Sequence, residues 1–127
     1  PETEVVIPRI KSDLLNLLKG IRDGTFSEKD LNISEDTAAT VMLVSKGYPE
    51  KYMTGHTITN FKNCENSIVF HAGTKKHNEE TQTNGGRIMA ITSLGKNPED
   101  ALRKSYKTAK DIHFEGKNYR RDIGFDL

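Results

Sequence analysis

Thr83-Asn84-Gly85-Gly86-Arg87-Ile88-Met89-Ala90-Ile91-Thr92-Ser93-Leu94 is the stretch on which the fold turns. Arg87 to Leu94 is a short apolar run of the kind that forms a buried strand, and Ser67 to Phe70 upstream has the same character. An Asn-Gly pair flanked by such runs is the strongest short-range hairpin signal, because both residues tolerate the positive φ of a tight turn. The pattern therefore predicts Asn84 and Gly85 in a two-residue turn with positive φ, and the two flanking strands as antiparallel neighbours. A further strand is expected at Thr37 to Lys46, apolar and followed by the turn Gly47-Tyr48-Pro49.

Downstream, Asn97-Pro98-Glu99-Asp100 opens a helix with an N-cap, a proline at its first position and acids where the helix dipole favours them. Ala101, Leu102, Tyr106, Ala109 and Ile112 form one face of it, while Glu99 with Arg103 and Asp100 with Lys104 are i,i+4 pairs elsewhere on its surface. Upstream, Leu14, Leu15, Leu17, Leu18 and Ile21 recur at helical spacing, with Ser12 as the expected N-cap and Gly20 and Gly24 near the end. Gly24 through Asp36 is polar and turn-rich and reads as a linker. Val5-Val6-Ile7 has strand propensity but is bounded by Pro8 and decides little. The fold class is α+β: a small, mostly antiparallel sheet with a packed C-terminal helix, preceded by a terminal helical piece.

The 127 residues carry 19 Lys plus Arg against 18 Asp plus Glu, a formal charge of +1, with one cysteine and no tryptophan. This length suits one domain that buries roughly two-thirds of its unfolded surface, without need of disulfide or metal. Near-zero charge argues against nucleic-acid binding, which shows a basic excess. The longest apolar runs, Val41 to Val44 and Ile88 to Ile91, have four residues. A spanning helix needs about 20, so no membrane span is expected. Pro1-Glu2-Thr3-Glu4 has neither the basic nor the apolar region of a signal segment, which makes a reduced, cytoplasmic setting the expectation. A start at proline inside a patterned segment suggests a piece of a longer protein.

His56, Cys64, His71, His77 and His113 match no zinc spacing, so no metal site is expected. His71 follows an apolar strand and precedes Ala72-Gly73-Thr74, a small-residue corner that serves either as a strand-end turn or as a close approach to a ligand. Asn84-Gly85-Gly86-Arg87 can present amides and a guanidinium to a phosphate, or simply make a hairpin. Arg120-Arg121-Asp122 can hold a phosphate bidentately, or pair one arginine with the neighbouring acid. No pairing of nucleophile and base stands out, Ser12 and Ser45 having no histidine near in sequence.

Taken together these residues resemble a family. Pro1 to Leu15 (PETEVVIPRIKSDLL), Val69-Phe70-His71-Ala72-Gly73-Thr74, Thr83-Asn84-Gly85-Gly86-Arg87 and Tyr119-Arg120-Arg121-Asp122-Ile123-Gly124 are similar, in order, to the carboxy-terminal part of phosphoribosylamine-glycine ligase, also called glycinamide ribonucleotide synthetase. The resemblance runs end to end. It implies an ATP-grasp ligase of de novo purine (IMP) synthesis that joins glycine to 5-phosphoribosylamine, using ATP and magnesium or manganese. Glycine is activated as an acyl phosphate that the ribosylamine nitrogen attacks.

On that resemblance residues 1–24 are the end of the ATP-grasp domain and 25–127 the C-terminal domain that closes on it. The family also suggests that Glu2 to Ile7 is helical or turn-like rather than a strand. Glu4 stands where the family usually has Gln. The family's Gly-Asp and its magnesium ligands precede Pro1 and are not in this chain, so no metal or ATP is expected on the chain alone, and no catalysis. Arg9, Lys11, His71, Gly73, Thr74, Asn84, Gly85, Gly86, Arg87, Arg120 and Arg121 are the residues it marks for substrate or interdomain contact. The partners implied are the remaining domains of the same enzyme, glycine and 5-phosphoribosylamine. Self-association through the leucine stripe is expected unless that helix folds back on the sheet. The competing class is a free-standing, non-enzymatic binding or interaction module.

Overall fold

In chain order the elements are α1 (Glu2–Val6), a 3₁₀ turn (Ile7–Arg9), α2 (Leu14–Asp23), a second 3₁₀ turn (Glu28–Asp30), β1 (Thr37–Ser45), β2 (Ile68–His71), β3 (Thr74–His77), β4 (Glu80–Thr83), β5 (Arg87–Gly95), α3 (Pro98–Asp111) and β6 (Lys117–Asn118). They come from a computed structural model that describes residues 2–62 and 64–125. The first residue of the amino-terminal motif and the last two of the chain lie outside the described residues.

A four-stranded antiparallel sheet runs β2-β5-β1-β6, as the apolar runs predict. Ile88 through Ser93 of β5 are all buried, which is why that strand reads as a continuous apolar run rather than an alternation. Val41 and Leu43 of β1 lie opposite Ile91 and Met89. With Ile58, Ile88, Ala109, Ile112 and Phe114 they form the core. α3 packs on β1 and β5, and its Ser105 hydroxyl donates to the Ala39 carbonyl at 2.9 Å. Of the expected face of α3, Ala101, Ala109 and Ile112 are buried and Leu102 and Tyr106 half-buried, with Ser105 and Thr108 filling the remainder.

Asn97 caps α3 as predicted, accepting from the Asp100 amide at 2.8 Å. Of the two expected ion pairs only Asp100–Lys104 forms, at 2.8 Å. Arg103 turns to Asp100, one residue nearer than Glu99, so a single carboxylate serves both cations. Lys104 and Arg103, by their hydrogen bonds, push the Asp100 carboxyl down to about 2. A lowered carboxyl contributes stability that is fully present above its unfolded value of about 3.9 and fades as pH falls toward the folded value. We therefore expect the melting temperature to fall between pH 4 and pH 2 by less in Asp100→Asn than in the unaltered protein, read by circular dichroism. Parallel losses in both would refute it.

The turn expected at Asn84-Gly85 is not there. β2 and β5 are antiparallel neighbours, Ile68 opposite Thr92 and His71 opposite Met89, but a separate two-stranded ribbon, β3–β4, intervenes between them in sequence. The tight positive-φ turn falls at the ribbon's tip, Asn78 (φ 45°) and Glu79 (φ 67°), while Asn84, Gly85 and Gly86 all keep φ outside that region. The glycines answer a different requirement, the close backbone crossing described below.

At the amino end the family's suggestion prevails over strand propensity: Glu2–Val6 is helical and runs into the 3₁₀ turn. Asp13, rather than Ser12, caps α2, accepting from the Asn16 amide at 2.8 Å. Ser12 instead donates to the Asp30 carbonyl and accepts from the Asn32 amide. Those bonds, with the Lys11 amide on Asn32 O and the Ser34 amide on Arg9 O, zip the segment after α1 to the end of the expected linker. α2 closes on Gly24 in the left-handed region. It does not fold back on the sheet: Leu17 is buried, but Leu15, Leu18 and Ile21 are each more than half exposed and Leu14 is 39% exposed. No helix among the described residues is long and apolar enough to cross a membrane.

Candidate functional site

Two of the sequence-marked segments, His71–Thr74 and Asn84–Arg87, meet where β2 ends and β5 begins. The Gly73 amide donates to the Arg87 carbonyl at 2.8 Å and the Asn84 amide to the Gly73 carbonyl at 2.7 Å. A Cβ on Gly73 would lie 2.5 Å from the Arg87 oxygen and 2.9 Å from the Gly85 α-carbon. One on Gly85 would lie 3.1 Å from the Gly73 α-carbon. Only residues without side chains can cross this closely. His71 Nδ1 and Thr74 Oγ1 share a hydrogen bond of 2.9 Å across the corner, and the imidazole stands edge-on to Phe61 with centroids 5.4 Å apart.

Four carbonyls around this crossing are turned to protein donors. Thr83 O accepts from the Gly55 amide, Gly85 O from the Ser45 hydroxyl at 3.0 Å, Gly86 O from the Ser45 amide at 2.8 Å, and Arg87 O from Gly73. The Gly85 and Gly86 amides take no acceptor among the described residues. These two successive donors directly precede Arg87, which is exposed, while Gly85 is half-buried and Gly86 buried. α1 touches β5, so the amino-terminal segment approaches the same strand.

The remaining marked residues lie elsewhere. Arg9 ends the first 3₁₀ turn and Lys11 follows Ile10, which bridges Ile33. The Arg9 guanidinium donates to the Ser34 carbonyl at 3.0 Å, while its buried Nε has no partner among the described residues. Arg120 closes a two-pronged pair with Asp122, both bonds 3.0 Å, and this arginine holds the Asp122 carboxyl below the usual range. Arg121 lies over the Tyr119 ring at 5.9 Å. The tail is pinned to α3 by the Tyr106 hydroxyl, which donates to Arg120 O and accepts from the Ile123 amide. Arg120 and Arg121 thus sit on the tail segment that lies against α3. Among the described residues no group of three or more His, Cys, Asp or Glu is placed to hold a metal ion.

Tyr48 and Tyr52 are residues that the sequence did not single out for the site, and Ser45 was weighed only as a nucleophile. Ser45 binds the glycine segment through two atoms, and the Tyr48 and Tyr52 rings lie against Gly86. The only advance signal was the turn Gly47-Tyr48-Pro49, which gives no hint of what it covers.

Residues 38–126 match the family described as phosphoribosylglycinamide synthetase, C domain. The chain is 40% identical to the phosphoribosylamine--glycine ligase of Halalkalibacterium halodurans over 98% of its own length and 29% of that protein's. It is 39% identical to the trifunctional purine biosynthetic protein adenosine-3 of Homo sapiens, over 98% of the chain and 13% of that protein. The crystal structure of phosphoribosylamine--glycine ligase from Thermotoga maritima aligns with a TM-score of 0.84 and 34% identity, over 96% of this chain and 30% of that one. The chain thus spans less than a third of the length of these relatives.

Proposed function

The chain belongs to the phosphoribosylglycinamide synthetase C-domain family, and from that premise we propose that it works as the closing part of a cytoplasmic ATP-dependent ligase that joins 5-phosphoribosylamine to glycine in purine synthesis. The reading takes residues 1–24 as the end of an ATP-grasp domain and 25–127 as the closing domain. The observation that carries this chain's share is the pair of Gly85 and Gly86 amides, without acceptors among the described residues, beside Arg87. Two N–H donors and a planar guanidinium suit the phosphate of the ribosylamine, and holding that phosphate fixes the position of the attacking nitrogen at the far side of the sugar. Gly73 braces the site from below. His71 and Thr74 form its corner, while Arg9 and Lys11, which lie apart from it, are read as contacts to the remainder of the ligase.

The described residues do not fit a magnesium or manganese site, so this reading gives the chain no step that runs through the metal or ATP. Both belong to the remainder of the ligase, as does the glycine site. The exposed face of α2, Leu14, Leu15, Leu18 and Ile21, is the surface on which that remainder packs. Left bare, a stripe of this kind drives self-association. Arg120 and Arg121, engaged with Asp122 and Tyr119, serve interdomain contact rather than phosphate.

The test is Arg87→Ala in the full-length ligase. Losing a charge-assisted contact worth about 1.5–3 kcal/mol should raise KM for phosphoribosylamine roughly 10- to 100-fold and leave KM for glycine and ATP within about twofold. Equal changes in all three would remove the phosphate assignment.

A further inference from the structure

Two consecutive glycines are the most expensive residues to hold in one conformation, because they lose the most backbone freedom on folding. Gly85-Gly86 is nevertheless held, and from two sides. Ser45 secures both carbonyls, one with its hydroxyl and one with its amide. On the other side the Tyr48 ring fills the space a Cβ on Gly86 would need: Cδ2 intrudes deepest, Cε2 lies 2.7 Å from that position, and Tyr52 Cε1 lies 3.1 Å from it. Gly86 is buried as a result, while Tyr48 keeps 41% of its surface in solvent.

Ser45 and Tyr48 act as one unit. The Tyr48 amide donates to the Ser45 carbonyl at 3.1 Å, and the Glu50 amide donates to the Gly47 carbonyl at 2.8 Å. Gly47 sits at φ 94°, with the Lys51 carbonyl where its Cβ would go, so the turn is closed tightly on itself. The rings of Tyr48 and Tyr52 meet at 6.3 Å and 54°, an ordinary tilted aromatic pair. The ring is therefore delivered to Gly86 by the same strand end that bonds the glycine carbonyls.

We propose that Tyr48 is a positioning residue for the phosphate subsite: its ring, backed by Tyr52 and pressed on Gly86, keeps the Gly85 and Gly86 amides and Arg87 in the anion-receiving arrangement. This rests on the phosphate assignment made above. Ring contact, not the hydroxyl, does the holding, since the atoms against Gly86 are ring carbons.

Titration of the full-length ligase with inorganic phosphate and, separately, with ribose 5-phosphate tests it by calorimetry. Tyr48→Ala should weaken both probes about tenfold, the scale of one charge-assisted hydrogen bond misplaced. Tyr48→Phe should bind both within about twofold of the unaltered enzyme, and KM for glycine should not move in either variant. A folded Tyr48→Ala that binds both probes as the unaltered enzyme does would overturn the role of Tyr48 while leaving the phosphate site standing. Failure of the unaltered enzyme to bind either probe would overturn the phosphate site and this inference with it. Should Tyr48→Ala fail to fold, Tyr48→Leu keeps apolar bulk without a flat ring and is read against the same outcomes.

Discussion

Replacing Gly73 with alanine is expected to lower stability by about 3 kcal/mol, at the upper end of what forced overpacking costs. The added methyl would meet the Arg87 carbonyl at 2.5 Å and the Gly85 α-carbon at 2.9 Å. Both are backbone atoms, so no flexible side-chain end can swing aside. The crossing must open, and with it the bonds from Gly73 to Arg87 and from Asn84 to Gly73, each worth about 0.5–1.5 kcal/mol net. A drop in melting temperature of roughly 10–15 °C should result, together with weaker phosphate binding because Arg87 loses its anchor. Gly85→Ala, whose nearest obstacle is the Gly73 α-carbon at 3.1 Å, should be milder. A Gly73→Ala protein as stable as the unaltered one would mean that the two segments do not cross this tightly.

Phe114→Ala should cost about 3–5 kcal/mol, the range for removing a buried aromatic ring and leaving a cavity. Phe114 is 2% exposed and heads the largest fully buried side chains. It reaches the core from the irregular segment between α3 and β6, where it meets the layer of Val41, Leu43 and Ile91. Urea unfolding is the measurement: the midpoint should fall with the slope unchanged, because the substitution alters stability rather than the surface exposed. A loss under about 1 kcal/mol would imply that the neighbours collapse into the gap or that the ring is not a core element.

β1, β2, β5 and α3 were legible because each carries a local signal that tertiary structure does not override: an apolar run, or an Asn-Pro start with acids behind it. β3–β4 was illegible for the opposite reason. Thr74 to Thr83 (TKKHNEETQT) has no residue from the strong apolar set, and its tip turns through Asn78-Glu79 without a glycine. Asn84-Gly85 misled because a hairpin turn and a close backbone crossing ask for the same residue, and only the position of Gly73 in space separates them. α1 was hidden by Val5-Val6-Ile7, whose β-branching points to strand. The helix was accessible only through family resemblance. Within the site, each glycine segment could be singled out alone, but their meeting, and the hold of Ser45 and Tyr48 upon them, joins stretches far apart in the chain.

The pairing of β1 with β5 at the centre of the sheet bears on how quickly the protein reaches its fold. Val44 and Arg87 stand opposite each other across roughly forty intervening residues, and a loop of that length must be closed before the contact gives anything back. The β3–β4 ribbon, closing over four positions, and the capped α3 can form locally and early, but neither contains the apolar layer. The central pair that buries Val41 and Leu43 against Ile91 and Met89 is therefore the late, slow event. Chains dominated by such distant pairings fold in milliseconds to seconds rather than microseconds. During that interval the apolar run of β5 is exposed, and the ribosome or a chaperone would encounter it as an unprotected strand.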